Sequence, residues 1–494
     1  MRRKPTMWES ASCIIFMAIV IGVGFGYFKL AVQPLLILSA AYSGFMAYRL
    51  GVTWSEMESA ISRSLGKAMP AIFIIFAVGI VVGTWVYSGT VPMLIYYGLK
   101  IISPQLFLVS AFLIVAIVST ATGTAWGSTA TAGVALMGMA QGLGIPLHIA
   151  AGAIVAGGVF GDKISPLSDT TNLAPLVTGV DLFDHIKHMF YTTIPSALVG
   201  LVVYFIVGMN MDSSATSAST VQGLLTTLDS MYNWNIFLLL PIIIIFVGAI
   251  KRMPTVPMML LASVVAVFVG MFSHGFSFAD GVQSMVTGFN VTMLENIGLD
   301  PNTIMPDIVN LVNRGGIMSM TSIVVMIFCG YAFAGIVEEA GCLEVILEVI
   351  YAKVKNVWQL ILVTIVGSII LVITTGVASI PILMIGSLLT NAYIKMGLHP
   401  KNLSRTLEDA GTMLIPFIPW GSSGIFYLEV LGVGPLQFGI WAIPCYLCIL
   451  FAMIYGVTGV GIAKLSDTQK KDYIKKLAIQ DDGSFGMQGS EIYD

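Results

Sequence analysis

The chain has 494 residues, 57% of them hydrophobic and only 10% charged, with a mean hydropathy of +0.91. Soluble domains carry about 25% charged residues, so this composition excludes a soluble globular protein and identifies an integral membrane one. A formal net charge of −3 offers nothing to a nucleic acid, and of the five cysteines (Cys13, Cys329, Cys342, Cys445 and Cys448) only the last two form a CxxC. With no second pair and no nearby histidine that CxxC reads as packing, not as a zinc site.

A membrane-crossing helix needs about 20 apolar residues, within roughly 17 to 25. The N-terminus, MRRKPTMWESASCIIFMAIVIGVGFGYF, has the basic start and apolar run of a signal peptide but no convincing cleavage site. It reads as a retained first transmembrane helix over 11–28. Apolar segments follow at 31–48, 68–88, 105–121, 126–142, 146–178 (interrupted) and 189–208. After a polar connector come 236–250, 255–273, 317–337, 357–374, 378–395, 403–427 (interrupted) and 436–460. The expected fold is therefore an all-α polytopic membrane protein of about 12–14 transmembrane or re-entrant helices, with the short 126–142 suited to re-entry. Four regions are expected: a first membrane repeat over 1–208, an external polar connector over 209–233, a second membrane repeat over 234–460 with an external loop at 274–316, and a cytoplasmic tail over 461–494. The tail is charged and contains glycine, a composition that favours partial disorder.

Basic residues stay on the cytoplasmic side. Arg2, Arg3 and Lys4 place the N-terminus inside, and Lys464, Lys470, Lys471, Lys475 and Lys476 place the C-terminus there too. Arg49, Arg63 and Lys67 mark an inside loop, as do Lys187 near 181–188, then Lys251 with Arg252, then Lys353 with Lys355, then Lys395, Lys401 and Arg405. The connector 209–233 has no Lys or Arg, and Arg314 is the one Lys or Arg in 274–316, so both fall outside. Lys100, placed outside, opposes the scheme.

The halves resemble each other. AVGIVVGTWVYSG (77–89) matches FCGYAFAGIVEEAG (328–341), pairing Gly79 with Gly330, Gly83 with Gly335 and Gly89 with Gly341, while Thr122 falls on Thr374 and Gly123 one residue from Gly376. The loops preceding the two stretches lie on opposite sides by charge, which is the mark of an inverted-topology repeat and is common in secondary transporters. Gly22, Gly24, Gly26, Gly79 and Gly83 read as small residues that permit close helix approach.

Four polar breaks stand out among the apolar segments: STATGTAWGSTATAG (119–133) and GDKISPLSDTTNLAP (161–175) in the first half, TTGVASIP (374–381) and LEDAGTMLIPFIPWGSSG (407–424) in the second. Within hydrocarbon a helix is broken only where protein or a water-filled cavity surrounds the break. Exposed carbonyls, carboxylates and hydroxyls suit a hard cation such as Na⁺, and half-helix N-termini favour anions. A carboxylate at membrane depth is costly unless compensated, so Asp162 and Asp169 need a cation, a proton or Lys163 nearby. The blander reading makes Asp169 a helix cap. Asp162 lies near Asp409 by position, and Glu408 with Asp409 has its own bland reading, a helical ion pair with Arg405 near the cytoplasmic face. His185 and His188 have the i, i+3 spacing of a metal pair but fall in a basic loop and read as interfacial. No P-loop is present, so ATP-driven transport has no support.

At GDKISPLSDTTNLAP the sequence closely resembles the NhaC-type sodium/proton antiporter family of the ion-transporter superfamily. The likeness extends through LVTGVDLFDHIKHMFYTTIPS, TATGTAWGSTATAG and RTLEDAGTMLIPFIPWGSSG. The resemblance implies a multi-pass carrier of the cytoplasmic membrane, built from two inverted repeats whose discontinuous helices meet at a central site. It implies Na⁺ extrusion against H⁺, with Asp162 and Asp169 as ion and proton residues and Ser165, Ser168, Thr170, Thr171 and Asn172 as oxygen donors. Relatives sharing the motif exchange organic anions such as malate against lactate, or move amino acids.

The leading reading is thus a Na⁺/H⁺ antiporter working by alternating access, not an enzyme, with Na⁺ and H⁺ as cargo and no cofactor. Burial disfavours the charged form of a carboxylate, which lets such a group exchange protons and makes Na⁺ and H⁺ compete. The alternative is a Na⁺- or H⁺-coupled carrier of a small organic acid or amino acid. Its pocket candidates are Thr122, Thr124, Trp126, Ser128, Thr129, Thr374, Thr375, Ser379, Glu408, Asp409, Thr412, Trp420, Ser422 and Ser423; packing is the competing role for both tryptophans. A passive channel fits less well, because it needs no paired broken helices with titratable groups in both halves. The bilayer is the expected partner, and the sequence leaves a homodimer open.

Overall fold

The computed structural model describes residues 2–211, 218–251, 253–352 and 354–476. Arg252, Lys353, part of the 209–233 connector and the tail beyond 476 lie outside the described residues. Eight helices are long and apolar enough to cross a membrane, or up to eleven if each of three bent pairs is one span. All the expected apolar segments are helical, and the end positions differ mostly by a few residues.

Helices Met7–Ile21 and Val32–Arg49 precede a run of seven: α1 (Trp54–Tyr87), α2 (Thr90–Ile101), α3 (Phe107–Thr122), α4 (Val134–Gly142), α5 (Leu147–Ile164), α6 (Asp169–Thr178) and α7 (Leu182–Met209). After the connector, Leu240–Ile250, Thr255–His274, Phe278–Thr287 and Pro306–Val312 precede a second run of seven: α8 (Thr321–Glu339), α9 (Cys342–Tyr351), α10 (Val357–Thr375), α11 (Ser379–Lys395), α12 (Lys401–Ala410), α13 (Ser422–Leu431) and α14 (Ile443–Thr458). The runs match element by element. Gly89 and Gly341 precede α2 and α9 with φ of 79° and 71°, and Gly123 and Gly376 end α3 and α10 with φ of 70° and 69°. Glycine adopts this left-handed backbone without the steric penalty of a side chain, so both halves turn at equivalent places.

Corresponding helices run in opposite directions where they touch. A Cβ on Gly335 would lie 2.9 Å from the Ala60 carbonyl oxygen, and one on Gly79 only 2.5 Å from that of Gly316. Residue 60 of α1 therefore lies beside 335 of α8, while 79 lies beside the approach to α8's start, an antiparallel relation that an inverted repeat requires. At the residue 60–335 end the N-terminus is tied down: Arg2 and Arg63 both reach Glu339, at 2.9 and 2.6 Å, and Lys67 reaches Glu338 at 3.2 Å.

Several expectations need correction. Arg63 and Lys67 lie on α1, whose first turns extend the apolar span with a charged stretch opened by a Thr53/Glu56 capping box. His185, Lys187 and His188 lie on α7 and not in a loop. The connector holds a helix, Ala218–Met231, and the described part of the tail holds Asp467–Lys476. Gly79 and Gly83 do permit close approach, but the neighbour is the expected 274–316 loop, which itself holds the helices Phe278–Thr287 and Pro306–Val312 and whose Ser284 carbonyl would sit 2.1 Å from a Cβ at Gly83. Gly22 and Gly26 have open space around them and lie in a π-helical turn, Gly22–Tyr27, so they serve no close contact. Lys100 is accounted for locally: its Nζ donates to the Tyr96 hydroxyl at 2.6 Å, and that hydroxyl donates to Asp229 of the connector.

Candidate functional site

α5 and α6 are separated by an unwound stretch, 165–168, which the hydroxyl-rich sequence holds in place. Ser165 Oγ donates to the Thr120 carbonyl at 2.8 Å and accepts from the Leu167 amide at 3.2 Å. Thr171 Oγ1 donates to the Lys163 carbonyl at 2.9 Å, and Asn172 Nδ2 donates to the Ser168 and Pro166 carbonyls at 2.7 and 2.9 Å. Thr171 and Asn172 thus satisfy backbone acceptors freed by the break, and Ser165 ties the break to α3. The counterpart, 411–421 between α12 and α13, is tied to the end of α10. Trp420 Nε1 donates to the Ile373 carbonyl at 2.7 Å, and the Ser422 amide and hydroxyl donate to that of Gly376 at 3.0 and 3.1 Å. Trp126 crosses between halves, donating to Ser423 Oγ at 3.0 Å and stacking on Phe426 with ring centroids 5.0 Å apart.

The remaining pocket candidates divide by what they bond. Thr122, Thr374 and Thr375 donate back to carbonyls in their own helices, at 2.9, 2.6 and 2.7 Å, and Ser128 does so to Ala125 at 3.0 Å. Thr124 caps the turn that follows it, accepting from the Gly127 amide at 3.3 Å. Ser379, half-buried, opens α11.

The two interrupted helices meet through charge. Lys163, Arg405, Glu408 and Asp409 are all completely buried. Lys163 Nζ donates to Asp409 Oδ1, which also accepts from Thr192 Oγ1 at 2.8 Å. Arg405 Nε stands 3.9 Å from Asp409 Oδ2, and its Nη1 donates to the Gly461 carbonyl at 2.8 Å. The helical ion pair expected near the cytoplasmic face thus exists for Asp409, but inside the protein. His185 and His188 are likewise buried rather than interfacial, joined to Ser404 Oγ at 2.8 Å and Asn402 Oδ1 at 3.1 Å on α12. Sequence reasoning missed Lys163 and Thr192 as partners of Asp409. The available signal was the cost of a lysine at the end of an otherwise uncharged span, which demands an acid from elsewhere.

Asp162 takes no part in that ion pair. Its Oδ1 is buried without a hydrogen-bond partner, as are both Glu408 carboxylate oxygens, Thr129 Oγ1 and Thr412 Oγ1. Asp162 has the Ser168 hydroxyl, the Ala125 backbone, Glu408 and Asp169 as electrostatic neighbours, and Glu408 has Thr412, Lys163, Asp409 and Thr170. One helical turn before Asp162, a Cβ on Gly158 would meet Thr129 Oγ1 at 3.0 Å, the Ala125 carbonyl oxygen at 3.4 Å and Ser128 Oγ at 3.6 Å. Oxygens of the 119–133 break therefore line the face of α5 that ends at Asp162. Asp169 is exposed, in the first turn of α6, and Asn172 beside it is exposed too. Among the described residues no group of three or more His, Cys, Asp or Glu side chains is placed to hold a metal ion. The arrangement is instead two carboxylates among hydroxyls and carbonyls, oxygen ligands of the kind hard cations take.

A family model described as the Na⁺/H⁺ antiporter family matches residues 3–171 and 157–460. The chain is 43% identical to an uncharacterized Na⁺/H⁺ antiporter of Haemophilus influenzae, over 94% of this chain and 98% of that one. It is 37% identical to the Na⁺/H⁺ antiporter NhaC of Alkalihalophilus pseudofirmus, with the same coverage of 94% and 98%. It is also 30% identical to the malate-2H⁺/Na⁺-lactate antiporter of Bacillus subtilis, over 92% of this chain and 96% of that one.

Proposed function

The chain belongs to the Na⁺/H⁺ antiporter family, and on that premise we propose that it exchanges Na⁺ for H⁺ by alternating access, with Asp162 and Glu408 as the carboxylates that carry the two ions in turn. The observation behind this assignment is the set of buried oxygens on Asp162 and Glu408 that no protein donor satisfies, contributed by helices from opposite halves. A buried acid without a partner is costly when charged, so it is stable either protonated or beside a cation. A site that holds Na⁺ or H⁺ but not both couples their movement in opposite directions. Ser168, Thr129 and Thr412 supply neutral oxygens around the two acids, and Asp169 on the exposed start of α6 draws cations toward them. The Lys163–Asp409 pair is a fixed compensation that remains while the neighbouring acids exchange their ions.

The protein works in the cell membrane with both termini cytoplasmic and needs no resident cofactor, Na⁺ and H⁺ being its cargo. In proteoliposomes holding an imposed pH gradient, added Na⁺ is expected to collapse the gradient for the wild type and not for Asp162→Asn or Glu408→Gln. Full Na⁺-dependent proton flux in Asp162→Asn would remove the assignment.

A second reading couples Na⁺ or H⁺ to a small organic acid. It is favoured by Arg405, whose Nε and Nη2 are buried without hydrogen-bond partners and offer a carboxylate two donors. The readings separate on one point: whether Na⁺ alone collapses the gradient, or malate or lactate must be present.

A further inference from the structure

α3, α5 and α7 enclose a lateral groove of about 510 Å³, bounded by Phe112, Ile117, Phe160, Ile164, Ala197 and Leu201. That volume lies within the roughly 300–1,000 Å³ of small-molecule sites. Its walls are apolar. The one hydroxyl on it, Thr120, is already committed to the Ala116 carbonyl at 2.7 Å. Water has no partner there, and an unfilled gap would forfeit the dispersion contacts of its lining. All three helices are spans, and Ile117 and Leu198 on the rim are 67% and 58% exposed, which turns the opening toward hydrocarbon.

The groove has a direction. Tyr204 and Leu201 of α7 lie beside Phe112, and Ile194 lies at the end shared with Ile164 and Thr120. Continuing along α7 toward its start, Tyr191 and Lys187 follow Ile194 at spacings of three and four residues, on the same face. Both are exposed. Seven residues of helix separate Lys187 from Ile194, about 10 Å. An ammonium group thus stands just beyond the groove's inner end, at the height where the headgroup of a lipid with its chain in the groove would lie. The acids facing the same region are Asp181 and Asp184 at the start of α7. The Asp181 carboxylate is occupied by the Phe183 and Asp184 amides at 2.9 and 3.1 Å.

We propose that this groove is a binding site for one acyl chain of an anionic phospholipid, with its phosphate at Lys187. The chain rests on Ile164 and Thr120. Ile164 adjoins Lys163, and the Thr120 carbonyl anchors Ser165 of the 165–168 break, so an occupied groove braces the outer side of the helix whose inner side carries Asp162.

The test is native mass spectrometry of purified, delipidated protein titrated with phosphatidylglycerol or phosphatidylcholine, for the wild type, Lys187→Ala, Ala197→Phe and Leu198→Trp. Ala197→Phe fills the groove from within. Leu198→Trp fills it from the bilayer-facing rim, where the fold tolerates bulk. The wild type is expected to retain one phosphatidylglycerol through activation that strips the others, and either filling variant to lose it. Lys187→Ala should weaken phosphatidylglycerol roughly fivefold, the worth of one basic residue near a membrane surface, and leave phosphatidylcholine unchanged. Equal retention by the wild type and both filling variants would overturn the site. So would indifference to Lys187, or a lipid-free dimer that the filling variants dissociate.

Discussion

Glu408 and Asp409 are neighbours in the chain and equally buried, yet their surroundings differ. Asp409 is held by Lys163, Thr192 and the more distant Arg405, whereas neither oxygen of Glu408 has a hydrogen-bond partner. The same contrast falls one residue apart on the facing helix, between paired Lys163 and unpaired Asp162. A stable protein has every reason to neutralise a buried acid. Two adjacent acids treated so differently separate a structural charge pair from a pair kept open for ions that come and go.

The largest expected effect tests the open side. Asp162→Asn and Glu408→Gln should each reduce Na⁺-driven proton flux to the level of protein-free liposomes while leaving expression and thermal stability intact, because an amide replaces an acid that no basic side chain pairs with and whose oxygens are left at least partly without donors. Substitution on the paired side should do the reverse. Lys163→Met strands a buried Asp409 and should cost about 3–5 kcal/mol of stability, read as a large fall in melting temperature. Adding Asp409→Leu should recover most of that loss, since an apolar pair of similar volume is often neutral or better, and the double variant should still exchange Na⁺ for H⁺. Stable but inactive double variants, beside active Asp162→Asn, would invert the distinction.

A smaller effect sharpens the open side. Thr129→Val removes an oxygen facing Gly158 one turn before Asp162 without changing side-chain shape greatly. The KM for Na⁺ should rise roughly threefold to tenfold, the worth of one polar contact, with kcat nearly unchanged. An unaltered KM would move the ion away from the 119–133 break.

How much of this could be read from the chain follows from distance in sequence. The spans were legible because each needs a continuous apolar run, and the breaks because 161–175 and 407–424 interrupt such runs with prolines and hydroxyls. The first turns of α1 and α7 were missed because Arg63, Lys67, His185 and Lys187 look like loop residues when burial is judged by polarity. Short α2 and α9 were missed for their length. Within the site, Asp162 stood out as an acid in an apolar span, but nothing local says that Lys163 turns to Asp409, 246 residues away. Nor could composition distinguish Asp162 from Asp169: across the unwound 165–168 stretch one is half-buried with its Oδ1 enclosed and the other stands at an exposed helix start.

The smallest expected effect lies where the paired cluster meets the segment that follows α14. Arg405 and Asn402 of α12 bind the carbonyls of Gly461 and Ala463, and the His399 amide binds Ala463 as well, at 3.0 Å. His399 lies outside the spans, its Nδ1 accepting from the Lys401 amide at 3.2 Å and its ring edge-on to Tyr473. Burial and the nearby Lys401 charge hold its pKa below the usual histidine value, against a weaker opposing pull from Asp184. The folded chain therefore binds the proton less readily than the unfolded one. The stability contributed by neutral His399 is fully present above about pH 6.5 and is lost as the pH falls from there toward the lower folded value. Hydrogen exchange across 459–465, normalised to the intrinsic amide exchange rate at each pH, should accordingly quicken between pH 8 and pH 5.5, by less than tenfold for a half-buried group, and His399→Gln should flatten that dependence. Unchanged acceleration in the variant would assign the pH response to groups other than His399 and remove this strap from the comparison.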